Sequence, residues 1–88
     1  MKHVAVMGAG SWGTVFSMIL ADAGCDVSLW ARSSDIADEI NAKRINSLYH
    51  PNLKLPESVK ATNTPDEALT DADLVILIHR EYNQQENT

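Results

Sequence analysis

The chain opens with a short apolar run, Val4 to Met7, that breaks into spaced glycines and resumes with apolar positions three and four residues apart. That switch predicts a strand over residues 3–7 and a helix from 11 to about 23, with Val15, Phe16, Ile19, Leu20 and Ala23 on one buried face. Gly24 is placed to end the helix in a left-handed turn. A second strand is predicted over 26–30. Ser33 or Ser34 can cap the helix after it, whose first turns carry Asp35, Asp38 and Glu39 and whose buried stripe is Ile36, Ile40 and Ile45. This helix should end near Arg44.

Residues 47–58, SLYHPNLKLPES, then form a connection with two prolines, longer than most helix-to-strand loops and of the kind that carries function. A weak strand is predicted over 59–62. Thr64-Pro65-Asp66-Glu67 signals a helix start, with proline in the first turn and a glutamate able to close a capping box. Residues 73–78, DLVILI, are continuously apolar after the first position, as a buried parallel strand should be.

The order β-α-β-α-β-(short α)-β describes an α/β fold, part of a doubly wound, Rossmann-type parallel sheet of about four strands. Right-handed crossovers arrange those strands 3-2-1-4. Residues 1–78 form a partial dinucleotide-binding domain, and residues 79–88, HREYNQQENT, form a polar, aperiodic tail that reads as aberrant or disordered. In a full sheet of this type a fifth strand and later helices cover strand four. Its apolar edge is therefore expected to lie open here and to favour self-association.

The glycines stand as Gly8-x-Gly10-x-x-Gly13 between the first strand and the first helix. In that context the first allows a tight turn and the second lets the backbone approach a pyrophosphate. The third lets the helix pack on the sheet, and the helix N-terminus offers free N–H groups and a positive dipole end. In the general fingerprint an acidic residue at the tip of the second strand binds the adenine ribose. Here the tip reads Leu29-Trp30-Ala31-Arg32-Ser33, without an acid. Arg32 can pair with a 2′-phosphate or stack on adenine, and Ser33 adds a hydroxyl, which favours NADP or dual use over strict NAD. Trp12, between the second and third glycines, can wall the dinucleotide or pack the loop, whereas Trp30 is expected in the core.

Composition narrows the alternatives. Seven basic residues against twelve acidic ones leave a net charge of −5 with no basic cluster, which argues against nucleic acid and anionic membranes as partners. The first apolar run is too short for a signal-peptide core or a membrane span. The lone Cys25 fits a reducing cytoplasm and is expected to act as a small apolar residue. His3, His50 and His79 show no metal-like grouping, so no metal is assigned. Asp66, Glu67, Asp71 and Asp73 around the short helix are expected to be caps and solvated face.

The blocks GAGSWGT, LADAG, VSLWAR, EIN with NSLYHPNLKLPESVKAT, and EAL with ADLVIL together resemble the N-terminal part of bacterial NAD(P)-dependent glycerol-3-phosphate dehydrogenase, over residues 1 to about 78. The resemblance implies a cytoplasmic oxidoreductase that interconverts glycerol 3-phosphate and dihydroxyacetone phosphate and feeds phospholipid synthesis. It implies cofactor contacts at Ser11 and Trp12 in the glycine loop, adenosine-side positions at Arg32 and Ser33, and a further dinucleotide contact at Tyr49. That last role rests on the resemblance only. After the fourth strand the family continues with a Val-Pro-Ser/Ala-Gln type segment, the rest of the nucleotide fold and a helical substrate domain holding its functional lysines. Lys2, Lys43, Lys54 and Lys60 do not match those lysines, and no catalytic residue is assigned.

Three functions are open. One is the NAD(P)-binding portion of such a dehydrogenase, shortened and expected to be inactive alone. Another is a stand-alone nucleotide-binding or regulatory module. The third is the N-terminal part of a related 2-hydroxy-acid or sugar-nucleotide dehydrogenase, against which GSWGT and the loop from Tyr49 to Pro56 discriminate.

Overall fold

The computed structural model describes residues 2–78, so the predicted tail, with His79, lies outside the described residues. Strands β1 (His3–Met7), β2 (Asp26–Trp30), β3 (Val59–Thr62) and β4 (Leu74–Leu77) alternate with helices α1 (Ser11–Asp22), α2 (Ser34–Lys43) and α3 (Pro65–Leu69). The strands build one parallel sheet in the order β3-β2-β1-β4, as the crossover rule predicts.

Register lines up the apolar positions. Val59, Val27, Val4 and Leu74 form one row across the sheet, and Ala61, Leu29, Val6 and Ile76 the next row on the same face. These rows meet Ala37 and Ile40 of α2 in a single core, with Met18, Leu20 and Ala21 of α1 packed against it. Ala5 and Ala68 are fully buried outside that core, where α3 packs against β1, β2 and β3 on the opposite face. Residues of one strand therefore alternate between two helical layers.

The buried face of α1 differs from the expected one. Gly13, Thr14 and Ser17 are buried, while Phe16 and Ile19 are exposed, Val15 and Leu20 are only partly covered and Ala23 is exposed. The cause is proximity. A Cβ built on Gly13 would stand 1.6 Å from the Gly8 carbonyl oxygen, so the helix rests almost directly on the strand-to-helix turn. Only small side chains fit along that line, and Phe16 and Ile19 are turned outward. Gly24 ends α1 as predicted: at φ +96° it donates to Ala21 O, while Cys25 N–H reaches Leu20 O, both at 3.0 Å.

Ser33 is the cap of α2, its hydroxyl accepting from Asp35 N–H at 3.2 Å, and Arg44 closes the helix in the left-handed region. The guanidinium of Arg44 donates to the carbonyls of Leu55, Pro56 and Val59, which fastens the long connection at its far end. Near its start, Glu39 accepts from Ser47 N–H at 2.9 Å, and the hydrogen bonds from Ser47 hold the Glu39 carboxyl below its ordinary range. Asn41 pairs with both the N–H and the C=O of Ala61, covering part of the outer edge of β3 like a short strand. At the other edge Leu74, Val75 and Leu77 of β4 are exposed, Leu77 by 78%.

The capping box at α3 does not form. Thr64 makes no side-chain cap; the Thr62 hydroxyl accepts from Thr64 N–H and donates to Glu67, because the end of β3 already places it between them. Trp30 also departs from expectation: it is only partly buried and donates from its indole to Asn63 O at 3.1 Å. Asp66, Glu67, Asp71 and Asp73 are all exposed, and Asp73 accepts from His3 N–H.

The contact between Gly13 and Gly8 yields a sharp expectation. Gly13→Ala should destabilise the chain by on the order of 3 kcal/mol or more, because the new methyl meets backbone that cannot yield. Urea denaturation followed by circular dichroism measures it, and a loss below about 1 kcal/mol contradicts the packing described.

Candidate dinucleotide-binding cleft

The connection after β1 leads to one face of the sheet and the connection before β4 comes from the other, so a crevice opens beyond the carboxyl ends of these strands. It is a cleft of about 730 Å³. Gly8, Gly10, Ser11, Trp12, Arg32, Ser33 and Tyr49, all singled out from the sequence, line it. Gly13 does not; it sits behind the wall and sets how closely α1 approaches. The pattern missed Trp30, Ile36 and Ile78, which supply apolar wall.

Each glycine of the loop answers a different constraint. Gly8 has φ +138° and donates to Trp30 O at 3.1 Å, which ties the loop to the end of β2. Gly13 is required by packing. Gly10 has an ordinary φ of −83°, and a Cβ built on it meets nothing within 4 Å. Neither backbone geometry nor packing against the described residues requires glycine there.

The electrostatics agree. Gly10 caps α1 without a side chain, and no acidic residue lies in the first turn, so the positive end of the helix faces the cleft. No Asp or Glu lines the cleft among the described residues. Arg32 stands exposed just past the tip of β2. Asp35, the acid nearest in sequence, belongs to the first turn of α2. Ser33 already accepts from Asp35 N–H, so its hydroxyl proton is free to donate outward. The exposed rings of Trp12 and Phe16 are 6.4 Å apart, and Trp12 and Tyr49 stand at the cleft wall.

Two residues behind the wall had no sequence signal. Asn46 is fully buried, and its Nδ2 donates to Ala9 O at 2.9 Å and to Thr14 Oγ1 at 3.0 Å. Thr14 Oγ1 spends its own proton on Gly10 O at 2.7 Å, so both partners of Asn46 can only accept and the amide must present its NH2. Asn46 Oδ1 is buried and accepts no hydrogen bond from the described residues. His50 donates from Nε2 to Ser11 O at 3.0 Å and lies 3.2 Å from Ser11 Oγ. A polar residue after an isoleucine and a histidine in a loop are ordinary in any sequence; their roles arise only from the return of the loop to α1.

Among the described residues no group of three His, Cys, Asp or Glu side chains could hold a metal, and no helix is long and apolar enough to cross a membrane. Residues 3–80 match the family described as NAD-dependent glycerol-3-phosphate dehydrogenase N-terminus. The NAD(P)+ glycerol-3-phosphate dehydrogenase of Streptomyces avermitilis is 55% identical over 73 residues, covering 83% of this chain and 22% of the relative. That of Corynebacterium kroppenstedtii is 54% identical over 77 residues, covering 88% and 23%. The crystal structure of glycerol-3-phosphate dehydrogenase from Coxiella burnetii superposes with a TM-score of 0.80 at 37% identity, over 86% of this chain and 23% of that one. The chain thus spans about a quarter of the length of the proteins it matches. With the sheet order, the glycine loop and these likenesses in agreement, the chain belongs to the NAD-dependent glycerol-3-phosphate dehydrogenase family and carries sequence of its N-terminal, NAD-binding domain.

Proposed function

We propose that the cleft holds NADP or NAD, with the pyrophosphate over the first turn of α1 and the adenosine ribose, with any 2′-phosphate, at Arg32 and Ser33. Trp12 and Tyr49 flank the dinucleotide. The observation that carries this is Gly10: an unstrained glycine facing open space at a helix N-terminus without a side-chain cap suits a phosphate. Arg32 supports NADP or dual use, because a guanidinium pairs with a phosphate dianion through two parallel hydrogen bonds.

We infer that the family's reaction, oxidation of glycerol 3-phosphate or reduction of dihydroxyacetone phosphate, is what this domain serves. Among the described residues no Lys, His, Asp or Glu lines the cleft to polarise a carbonyl. The domain's own contribution is therefore to bind and orient the nicotinamide cofactor. The free thiol of Cys25 supports a cytoplasmic setting. The open edge of β4, with Leu74, Val75 and Leu77 exposed, supports self-association of the 88-residue chain.

Three outcomes are expected. Gly10→Ala should keep stability within about 1 kcal/mol, since glycine and alanine differ modestly at a helix cap, yet weaken NADPH binding at least about tenfold in fluorescence titration. Unchanged affinity contradicts the pyrophosphate placement. Arg32→Ala should weaken NADPH by roughly 10- to 100-fold, the worth of a charge-assisted hydrogen bond, and NADH far less. A clear preference of the unsubstituted chain for NADH contradicts the role given to Arg32. In sedimentation velocity the 88-residue chain should run as a dimer or larger species, and Leu77→Lys should shift it toward monomer; a cooperative monomer at all concentrations contradicts the β4 contact.

A further inference from the structure

Among the described residues Asn46 is the fully buried side chain whose hydrogen bonds join the start of the long connection to the glycine loop and α1. Its amide fixes Ala9 O, within the glycine loop, and Thr14 Oγ1, in the second turn of α1. Thr14 in turn fixes Gly10 O. The main-chain carbonyl of the same residue accepts from Tyr49 N–H at 3.2 Å and His50 N–H at 2.8 Å, and His50 returns to Ser11. A closed circuit results. It runs from Asn46 through Ala9, Gly10 and Thr14 to α1, and from Asn46 through the 46–50 turn back to Ser11. An apolar residue in place of Asn46 would release both Ala9 O and Thr14 Oγ1.

We propose that Asn46 is a positioning residue for the pyrophosphate, holding the Gly8–Gly13 cradle and the Tyr49 wall in one arrangement so that both meet the same ligand. The inference rests on the cleft being a dinucleotide site. It predicts that Asn46 controls binding at the phosphate end and leaves the adenosine end untouched. It also makes the contribution of Tyr49 conditional on Asn46, since one residue holds both walls.

The test is titration of the 88-residue chain with ADP and, separately, with adenosine, followed through its backbone amide NMR signals. Asn46→Ala should weaken ADP about tenfold, in keeping with the loss of hydrogen bonds that hold its cradle, and leave adenosine within about twofold. At saturating ADP the Arg32 and Ser33 signals should still move as in the unsubstituted chain, while those of Gly10 to Gly13 move less. Thr14→Val, which keeps the side-chain shape and removes one of the two acceptors, should act in the same direction and keeps the test available if Asn46→Ala unfolds. Adding Tyr49→Ala to Asn46→Ala should cost less than Tyr49→Ala alone. Equal weakening of ADP and adenosine, or no change in either, overturns the positioning role and leaves the nucleotide site standing. Absence of binding of either ligand by the unsubstituted chain overturns both.

Discussion

The contact that the rest of this domain depends on is the near-touching of two backbones, α1 at Gly13 and the turn after β1 at Gly8. No side chain separates them, since a Cβ at Gly13 would lie 1.6 Å from the Gly8 carbonyl oxygen. Once the helix is that close, Gly13, Thr14 and Ser17 are its fully buried residues, and the helix axis aims its N-terminus across the strand ends. Those hydroxyls are not wasted polar groups: Thr14 and Ser17 bond back to the carbonyls of Gly10 and Gly13 in the preceding turn. The packing that shapes the core and the placement of the positive helix end are thus one and the same event.

From this contact the cleft follows in layers. Gly8 ties its turn to the end of β2 through Trp30 O, which sets the distance between the phosphate loop and Arg32. Arg44 and Glu39 fasten the two ends of the long connection to α2. Asn46, just before that connection, and His50 within it then fasten this segment to the glycine loop and the start of α1. A loop tied at so many points is part of the wall, and Tyr49 reaches the cleft because of it. Around the site, burial is strongly one-sided. The face under α1 and α2 is closed, while the outward side chains of α1 and the β4 edge carry large apolar groups in solvent. One edge of the sheet is partly covered by Asn41, and at the other Leu74, Val75 and Leu77 are exposed.

The features legible in the sequence are those governed by local rules. Strand and helix boundaries, the Gly24 stop, the cap at Ser33 and the proline start of α3 depend on backbone preferences within a few residues. Strand order came from handedness, which is a property of L-amino acids and not of this chain. The glycine loop was legible because three separate constraints fall on fixed spacing. Where local propensity and tertiary proximity competed, the local expectation failed. Phe16 and Ile19 have the period of a buried face and lie outside, and Thr64 has the sequence of a cap but loses its partner to Thr62.

The family, the order of elements, the parallel sheet and many of the cleft residues were readable from the chain alone, because they rest on short-range pattern and on motif blocks. Long-range packing set which face of α1 is buried, that Asn41 shields an edge and that Asn46 and His50 brace the glycine loop and the start of α1. Each of these joins residues far apart in the chain, Asn46 to Ala9 and His50 to Ser11 among them, through hydrogen bonds whose value exists only after folding has excluded water. No periodicity encodes such a pair, since either partner alone is an ordinary polar residue in a loop.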